Sequence, residues 1–196
     1  MNAPGRPVAI LLAAGGGARF GGDKLGAKTG AQTVLERTVA ALAASGCRAR
    51  AAVVGAKAQL HAPLLSRSGF EIIVNPSAAE GMSSSIRSGV VWAERKGAGA
   101  TLIALADMPF VPAAHFSRLL EAFEQSAFGI SCSADAKRRM PPAVFASRWF
   151  AHLQALEGDE GARALLDKAS AGDVVEAAPG ELDDIDSQDD LQRFNC

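Results

Sequence analysis

The chain is short of the features that mark a secreted, metal-stapled or membrane-spanning protein. Its three cysteines, Cys47, Cys132 and Cys196, are odd in number, widely spaced and without a Cys-x-x-Cys pair. A disulfide framework or a thiolate zinc site needs a paired or closely spaced set, so neither is expected, and a reducing cytoplasm is the natural setting. No apolar stretch reaches the ~20 residues that a helix needs to cross a bilayer, and no membrane partner is expected. Arg6 and the apolar run after it imitate a secretory leader. Pro4 and Pro7, however, flank a run of a few residues that leads into Arg19 and Lys24 rather than a cleavage site. A basic excess is missing too: the net charge is −1 at pH 7, which argues against a nucleic-acid partner. A few local cations can still hold a small anion.

What remains is ordinary globular material. At 196 residues, 48% hydrophobic and 21% charged, the chain suits one α/β domain over residues 1–196. Strand and helix signals alternate along it. Val8 to Ala13, Arg48 to Val54, Phe70 to Val74, Ala100 to Ala106 and Phe128 to Cys132 read as strands. Between them, Thr33 to Glu36 has the form of a capping box that opens a helix running to Gly46. Lys57 to Arg67 reads as a helix despite Pro63, and Ser83 can cap a helix to about Arg95. Pro112 starts another, and the region after Arg148 reads as helical through Leu166 with a break at Gly158. The alternation implies right-handed crossovers and a three-layer α/β/α architecture around a mostly parallel, Rossmann-like sheet. Ligands gather at the carboxyl ends of such strands.

Glycine is concentrated where that rule matters. The first strand empties into Leu12-Ala13-Ala14-Gly15-Gly16-Gly17-Ala18-Arg19-Phe20-Gly21-Gly22-Asp23-Lys24. Successive N–H groups in a glycine-rich loop can form a nest for phosphate oxygens, and Arg19 and Lys24 add positive charge beside it. The dinucleotide fingerprint is excluded because Phe20 stands where its third glycine belongs, and the P-loop because Ala27-Lys28-Thr29 lacks its glycine. The remaining choice is a polyphosphate grip or a tight turn with two solvated charges.

Carboxylates supply the second element. Asp107, in Leu105-Ala106-Asp107-Met108-Pro109, leaves the most apolar strand at the ligand edge, where a hard-oxygen ligand suits Mg²⁺; the plain alternative is a cap on the turn before Pro109. Asp183-Asp184-Ile185-Asp186-Ser187-Gln188-Asp189-Asp190 is largely a solvated face, with Ser187 capping a short final helix. Asn75-Pro76 follows a strand, and Glu80-Gly81-Met82-Ser83-Ser84-Ser85 opens a helix whose free N–H groups suit an anion or a ribose, or serve as a well-provided cap. His61, His115 and His152 have no partners at ligand spacing and are assigned no role.

Taken in order, these motifs carry a resemblance. Leu-Ala-Ala-Gly-x-Gly-x-Arg-x-Gly-x-x-Lys resembles the signature of nucleotidyltransferases with a molybdenum-cofactor-type NTP transferase domain, a nucleotide-diphospho-sugar transferase type of fold. Asn75-Pro76, then Glu80 to Ser85, is similar to the molybdenum cofactor cytidylyltransferases, and Gly158-Asp159-Glu160-Gly161-Ala162-Arg163 is similar to their Gly-Asp-Lys-Gly-Ala-Arg segment. Asp184-Ile185-Asp186-Ser187 resembles their Asp-Ile-Asp-Thr, with Gln188 replacing the usual proline. The chain departs at Arg139-Met140-Pro141-Pro142, where a Gly-x-Pro element belongs.

The resemblance implies transfer of CMP from CTP to molybdenum-bound molybdopterin, with Mg²⁺ as cofactor and a molybdoenzyme as recipient of the product. It implies catalytic Arg19, Lys24 and Asp107, and metal contacts from Asp107 and Asp186. Nucleotide contacts would come from Leu12, Ala13, Ala14, Gly15, Gly17, Asn75, Gly81, Ser83 and Ser85, together with Arg19 and Lys24. Ala14 favours CTP over GTP, because Leu-Ala-Ala-Gly is typical of the cytidine users. Three alternatives stay open: GTP as donor, another acceptor such as a sugar phosphate, and a non-catalytic molybdopterin carrier. Lys137, Arg138 and Arg139 either meet an acceptor phosphate or form a solvated basic turn.

Overall fold

The apolar run that precedes the glycine loop forms an inner strand of the sheet. The computed structural model describes residues 7–15, 20–158 and 161–193. Along the chain, β1 (Val8–Ala13) is followed by a small hairpin, β2 (Lys28–Thr29) and β3 (Gln32–Thr33), then α1 (Val34–Ala43) and β4 (Arg50–Val54). Next come α2 (Ala62–Arg67), β5 (Glu71–Val74), α3 (Met82–Arg95), β6 (Ala100–Leu105) and α4 (Ala113–Gln125). The last part holds β7 (Ile130–Asp135), β8 (Arg138–Ala146), α5 (Phe150–Gln154), α6 (Arg163–Leu166), β9 (Val174–Glu176) and α7 (Gln188–Arg193).

Seven strands form one sheet in the order β5-β4-β1-β6-β8-β7-β9. All run the same way except β8, which is antiparallel to both of its neighbours. β1 is buried along its whole length because alternate side chains enter different layers. Ala9, Leu11 and Ala13 pack with Val34, Leu35, Phe116 and Leu119 of α1 and α4. Val8, Ile10 and Leu12 pack with Ile86, Val90, Phe150, Leu153 and Leu165 of α3, α5 and α6. This is the expected three-layer, mostly parallel architecture. No helix among the described residues is long and apolar enough to cross a membrane.

Local chemistry explains both the agreements and the departures. The capping box at α1 is present: Thr33 Oγ1 accepts from the Glu36 N–H (3.1 Å), and the Glu36 carboxylate accepts from the Thr33 N–H (2.7 Å). Those bonds hold the Glu36 carboxyl below its ordinary pKa. Lys57 to Arg67 is not one helix. Residues 56–61 form a 3₁₀ segment, and α2 starts only where Pro63 can occupy a first turn. The cap of α3 is Gly81, at φ +111°, rather than Ser83, and Pro112 caps α4 instead of entering it. After Arg148 the helix is broken more widely than expected, because Gly158 (φ +56°) and Gly161 (φ +54°) are both left-handed.

Four strands were unanticipated, the short β2, β3 and β9 and the long β8. In β8 the local sequence is least suited to a strand. Its Pro141 and Pro142 cannot donate to a ladder and so argue against a strand. The structure accommodates them by an irregularity: Cys132 faces Ala143 and Ser133 faces Met140, leaving the two prolines outside the pairing. Ala136 and Lys137, both with positive φ, form the two-residue turn between β7 and β8.

One contact in this core sets a testable limit. A Cβ on Gly89 would stand 2.6 Å from Ile10 Cγ2, so α3 rests its backbone directly on β1. Gly89→Val is therefore expected to destabilise the fold by about 1–3 kcal/mol through overpacking. Urea unfolding checks it: the midpoint should fall with the slope unchanged.

Candidate functional site

The carboxyl ends of β1, β4 and β5 open onto a cavity of about 500 Å³. Its lining includes Ala14 and Gly15 after β1, Gly55 and Ala56 after β4, Asn75 and Pro76 after β5, and the segment Gly22–Leu25. The walls are mostly small and apolar, with Leu60 63% exposed at the rim. Gly55 matters sterically: a Cβ there would meet the Ala14 carbonyl oxygen at 3.2 Å, so the loops after β1 and β4 approach closely only because that side chain is missing.

Lys24 joins the glycine loop to both acidic motifs. Its Nζ lies 2.7 Å from Asp107 Oδ2 and 3.0 Å from Asp186 Oδ1. Burial lowers the ammonium's pKa, but the two carboxylates outweigh it and the net shift is upward. The same negative charges act on Asp184, whose pKa is raised by partial burial and then by Asp186 and Asp107. Backbone bonds keep the loops in place: the Ile185 N–H donates to the Asp107 carbonyl (3.0 Å) and the Ala106 N–H to the Leu12 carbonyl (3.0 Å). Ser187 caps α7 as expected, its Oγ accepting from the Asp190 N–H (3.2 Å) while the Asp190 carboxylate accepts from the N–H groups of Asp186 and Ser187.

The other expected site residues divide into cavity and scaffold. Ala14, Gly15, Lys24 and Asn75 line the cavity. Leu12 and Ala13 are buried, paired with Val53 and Val54 in the sheet. Asn75 is engaged on both ends of its amide: Nδ2 donates to Ser84 Oγ (2.9 Å) and Ser85 Oγ (3.0 Å), and Oδ1 accepts from the Ser77 N–H (3.0 Å). Ser83 and Ser85 are buried in the first turn of α3. Ser83 N–H donates to the Gly158 carbonyl (3.1 Å), and Arg87 Nη1 donates to the Leu156 carbonyl (2.6 Å), so the Glu80–Gly89 segment and the Gly158 segment meet. Gly17 and Arg19 lie outside the described residues.

On the far side of β6, Leu12, Met82, Leu105, Pro141 and Leu166 border a small apolar crevice. The basic residues 137–139 sit in the adjoining hairpin; Lys137 and Arg138 are exposed, and Arg139 Nη1 donates to the Leu166 carbonyl (3.0 Å).

Sequence reasoning missed Asp23, Gly55, Ala56, Leu60 and His61 in the cavity wall. Gly55 and Ala56 were findable as the residues just beyond a parallel strand. His61 was not: its Nε2 lies 2.8 Å from Asp23 Oδ1, a contact across 38 residues of sequence. His115 is buried, its Nε2 2.7 Å from Ser133 Oγ, and burial lowers its pKa. Among the described residues no cluster of three or more His, Cys, Asp and Glu side chains has a metal-holding arrangement.

Comparison with known proteins agrees with this layout. A family model described as a MobA-like NTP transferase domain matches residues 9–174. The purine catabolism protein PucB of Bacillus subtilis (strain 168) is 34% identical over 194 residues, covering 93% of each chain. A nucleotidyl transferase from Methanothermobacter thermautotrophicus superposes with a TM-score of 0.80 at 24% identity, over 97% of this chain and 96% of its own. Rv0371c of Mycobacterium tuberculosis H37Rv, solved in complex with manganese, gives a TM-score of 0.76 at 22% identity, over 96% of this chain and 97% of its own. Both superpositions reproduce the fold, while the family model and the similarity to PucB reach the sequence itself. The chain belongs to the MobA-like NTP transferase domain family and is a nucleotidyltransferase.

Proposed function

We propose that the chain, acting as one transferase domain in the cytoplasm, moves CMP from CTP to the terminal phosphate of molybdenum-bound molybdopterin and releases pyrophosphate. The product would be the cytosine dinucleotide form of the cofactor, delivered to a molybdoenzyme. The observation that carries this reading is the gathering of Asp107 and Asp186 around the Lys24 ammonium, beside the Ala14–Gly15 cavity. An acceptor phosphate is already ionised near neutral pH, so no covalent nucleophile is needed. The protein's task is to align two polyanions and offset the charge that develops.

The donor set fits a hard divalent cation. Two carboxylates from separate loops converge on one positive charge, and oxygen is the ligand that Mg²⁺ prefers. The manganese complex of Rv0371c supports a divalent cation in this fold. Asp107 and Asp186 would hold Mg²⁺, which when bound neutralises charge between the α-phosphate and the acceptor. Lys24, with Arg19, would bind the β- and γ-phosphates and steady the leaving pyrophosphate. Backbone groups of Ala14 and Gly15 would meet the base in the apolar cavity, and Ala14 favours cytosine by the family resemblance. Gly81, Ser83 and Ser85 would shape the ribose side together with Asn75. The acceptor's ring system would lie toward the Leu12, Met82 and Pro141 crevice, with the basic hairpin near its phosphate.

A second reading keeps the chemistry and changes the acceptor, such as to a sugar phosphate, or the donor to GTP. The specific observation behind it is that Pro141 and Pro142 stand outside the β7–β8 pairing at this edge, where the family pattern differs. Pyrophosphate release separates the readings. With Mg²⁺ and molybdopterin, CTP should exceed the other three nucleotides by about tenfold or more. Equal release with a sugar phosphate would move the assignment to the second reading. No release with any nucleotide and acceptor would leave a carrier and sink the transfer.

A further inference from the structure

His61 stands in the wall of the nucleotide cavity yet takes no part in the transfer described above. It ends the 3₁₀ segment of residues 56–61, is only 8% exposed, and places Nε2 2.8 Å from Asp23 Oδ1. The same Asp23 oxygen accepts from the Gly26 N–H at 3.2 Å, which folds the carboxylate over its own turn. A Cβ at position 26 would run into the Asp23 carboxylate, so glycine there leaves that side chain its place.

The next residue in the chain points elsewhere. Lys24 crosses to Asp107 and Asp186, on loops after β6 and before α7. Two consecutive side chains therefore reach different elements: Asp23 is tied to the 3₁₀ segment and Lys24 to the acidic loops. The backbone between them is a tight turn, with Lys24 N–H donating to the Gly22 carbonyl (3.1 Å) and Ala27 N–H to the Lys24 carbonyl (3.2 Å). Beyond Lys24 the backbone is anchored on α1, the Leu35 N–H donating to the Leu25 carbonyl (3.0 Å) and the Val34 N–H to the Ala27 carbonyl (2.9 Å), so the Asp23–His61 contact bears on the side of Lys24 that faces the glycine loop. The long lysine stem has several rotatable bonds, so its ammonium is placed only as well as its backbone is.

We propose that His61 is a positioning residue for the triphosphate, acting through Asp23 to set where Lys24 presents its charge. The inference rests on the reading of the cavity as a nucleoside triphosphate site, and it adds a residue outside every motif in the sequence. The bond orders the site before the ligand arrives, so its loss should appear mainly in nucleotide binding.

The experiment uses the full chain with CTP and Mg²⁺. Calorimetry without acceptor gives Kd, and pyrophosphate release gives KM and kcat separately. His61→Leu is expected to raise Kd and KM for CTP by about tenfold, with the loss falling on KM rather than kcat. His61→Gln, which keeps an N–H donor toward Asp23, should return both to within about threefold of the parent. Asp23→Ala should match His61→Leu, and the double variant should be no weaker than either single one, because one interaction is removed only once. Melting temperatures confirm that each variant folds; if His61→Leu does not, Asp23→Ala and His61→Gln carry the comparison. Unchanged CTP affinity in folded His61→Leu, or additive losses in the double variant, overturns the proposal. A parent that binds CTP but releases no pyrophosphate overturns the transfer reading alone, since Kd still tests His61.

Discussion

Replacing Asp107 with alanine is expected to lower pyrophosphate release by on the order of a thousandfold while leaving the fold intact. The side chain is 23% exposed and bonded to Lys24, and the contact that Asp107 makes for the architecture runs through its backbone carbonyl, which accepts from the Ile185 N–H. Alanine keeps that carbonyl. Removing the carboxylate also relieves a crowd of like charges, because burial, then Asp186 and Asp107, push up the Asp184 pKa. Little stability should be lost, and the deficit should appear in kcat at saturating CTP. Near-normal turnover with Mg²⁺ would remove Asp107 from the mechanism. A collapsed melting transition would instead show a structural role that its exposed edge does not suggest.

Lys24→Ala should fail differently. Charge-assisted hydrogen bonds contribute about 1.5–3 kcal/mol, so losing the ammonium should raise KM for CTP by roughly tenfold to a hundredfold. The variant also leaves Asp107 and Asp186 without the cation between them. Manganese binding without nucleotide should therefore tighten in Lys24→Ala as CTP binding weakens, since the same carboxylates then face an unopposed field. Electron paramagnetic resonance of free manganese measures the first change and calorimetry the second. Arginine is not a neutral control here: its planar fork does not match a site built around a compact ammonium. Unchanged CTP kinetics would take Lys24 out of the triphosphate grip.

The pattern of elements was legible because it depends on local chemistry. β1 needs only a run of apolar residues, α1 only Thr33 and Glu36 at capping spacing, and the glycine loop only its position after a strand. Asp107 was visible as a carboxylate at the end of a strand, and Asp186 only through the resemblance of its motif. What escaped were features where distant residues compensate for local unsuitability. β8 pairs on both sides despite two prolines because the ladder steps around them. Asn75 reads as a ligand-facing amide, yet its polar atoms are also held by Ser77, Ser84 and Ser85. Neither outcome follows from a window of neighbouring residues.

Composition, periodicity and capping thus determined the class of fold, the mostly parallel sheet and the edge where a ligand would gather. They act through backbone dihedrals and burial over a few residues, which a sequence displays directly. Tertiary structure alone decided how that edge is wired. It brought Lys24 onto Asp107 and Asp186, 83 and 162 residues away, and placed His61 against Asp23. An ion pair forms wherever the folded backbone sets two charges a few ångströms apart, and separation along the chain carries no record of that distance.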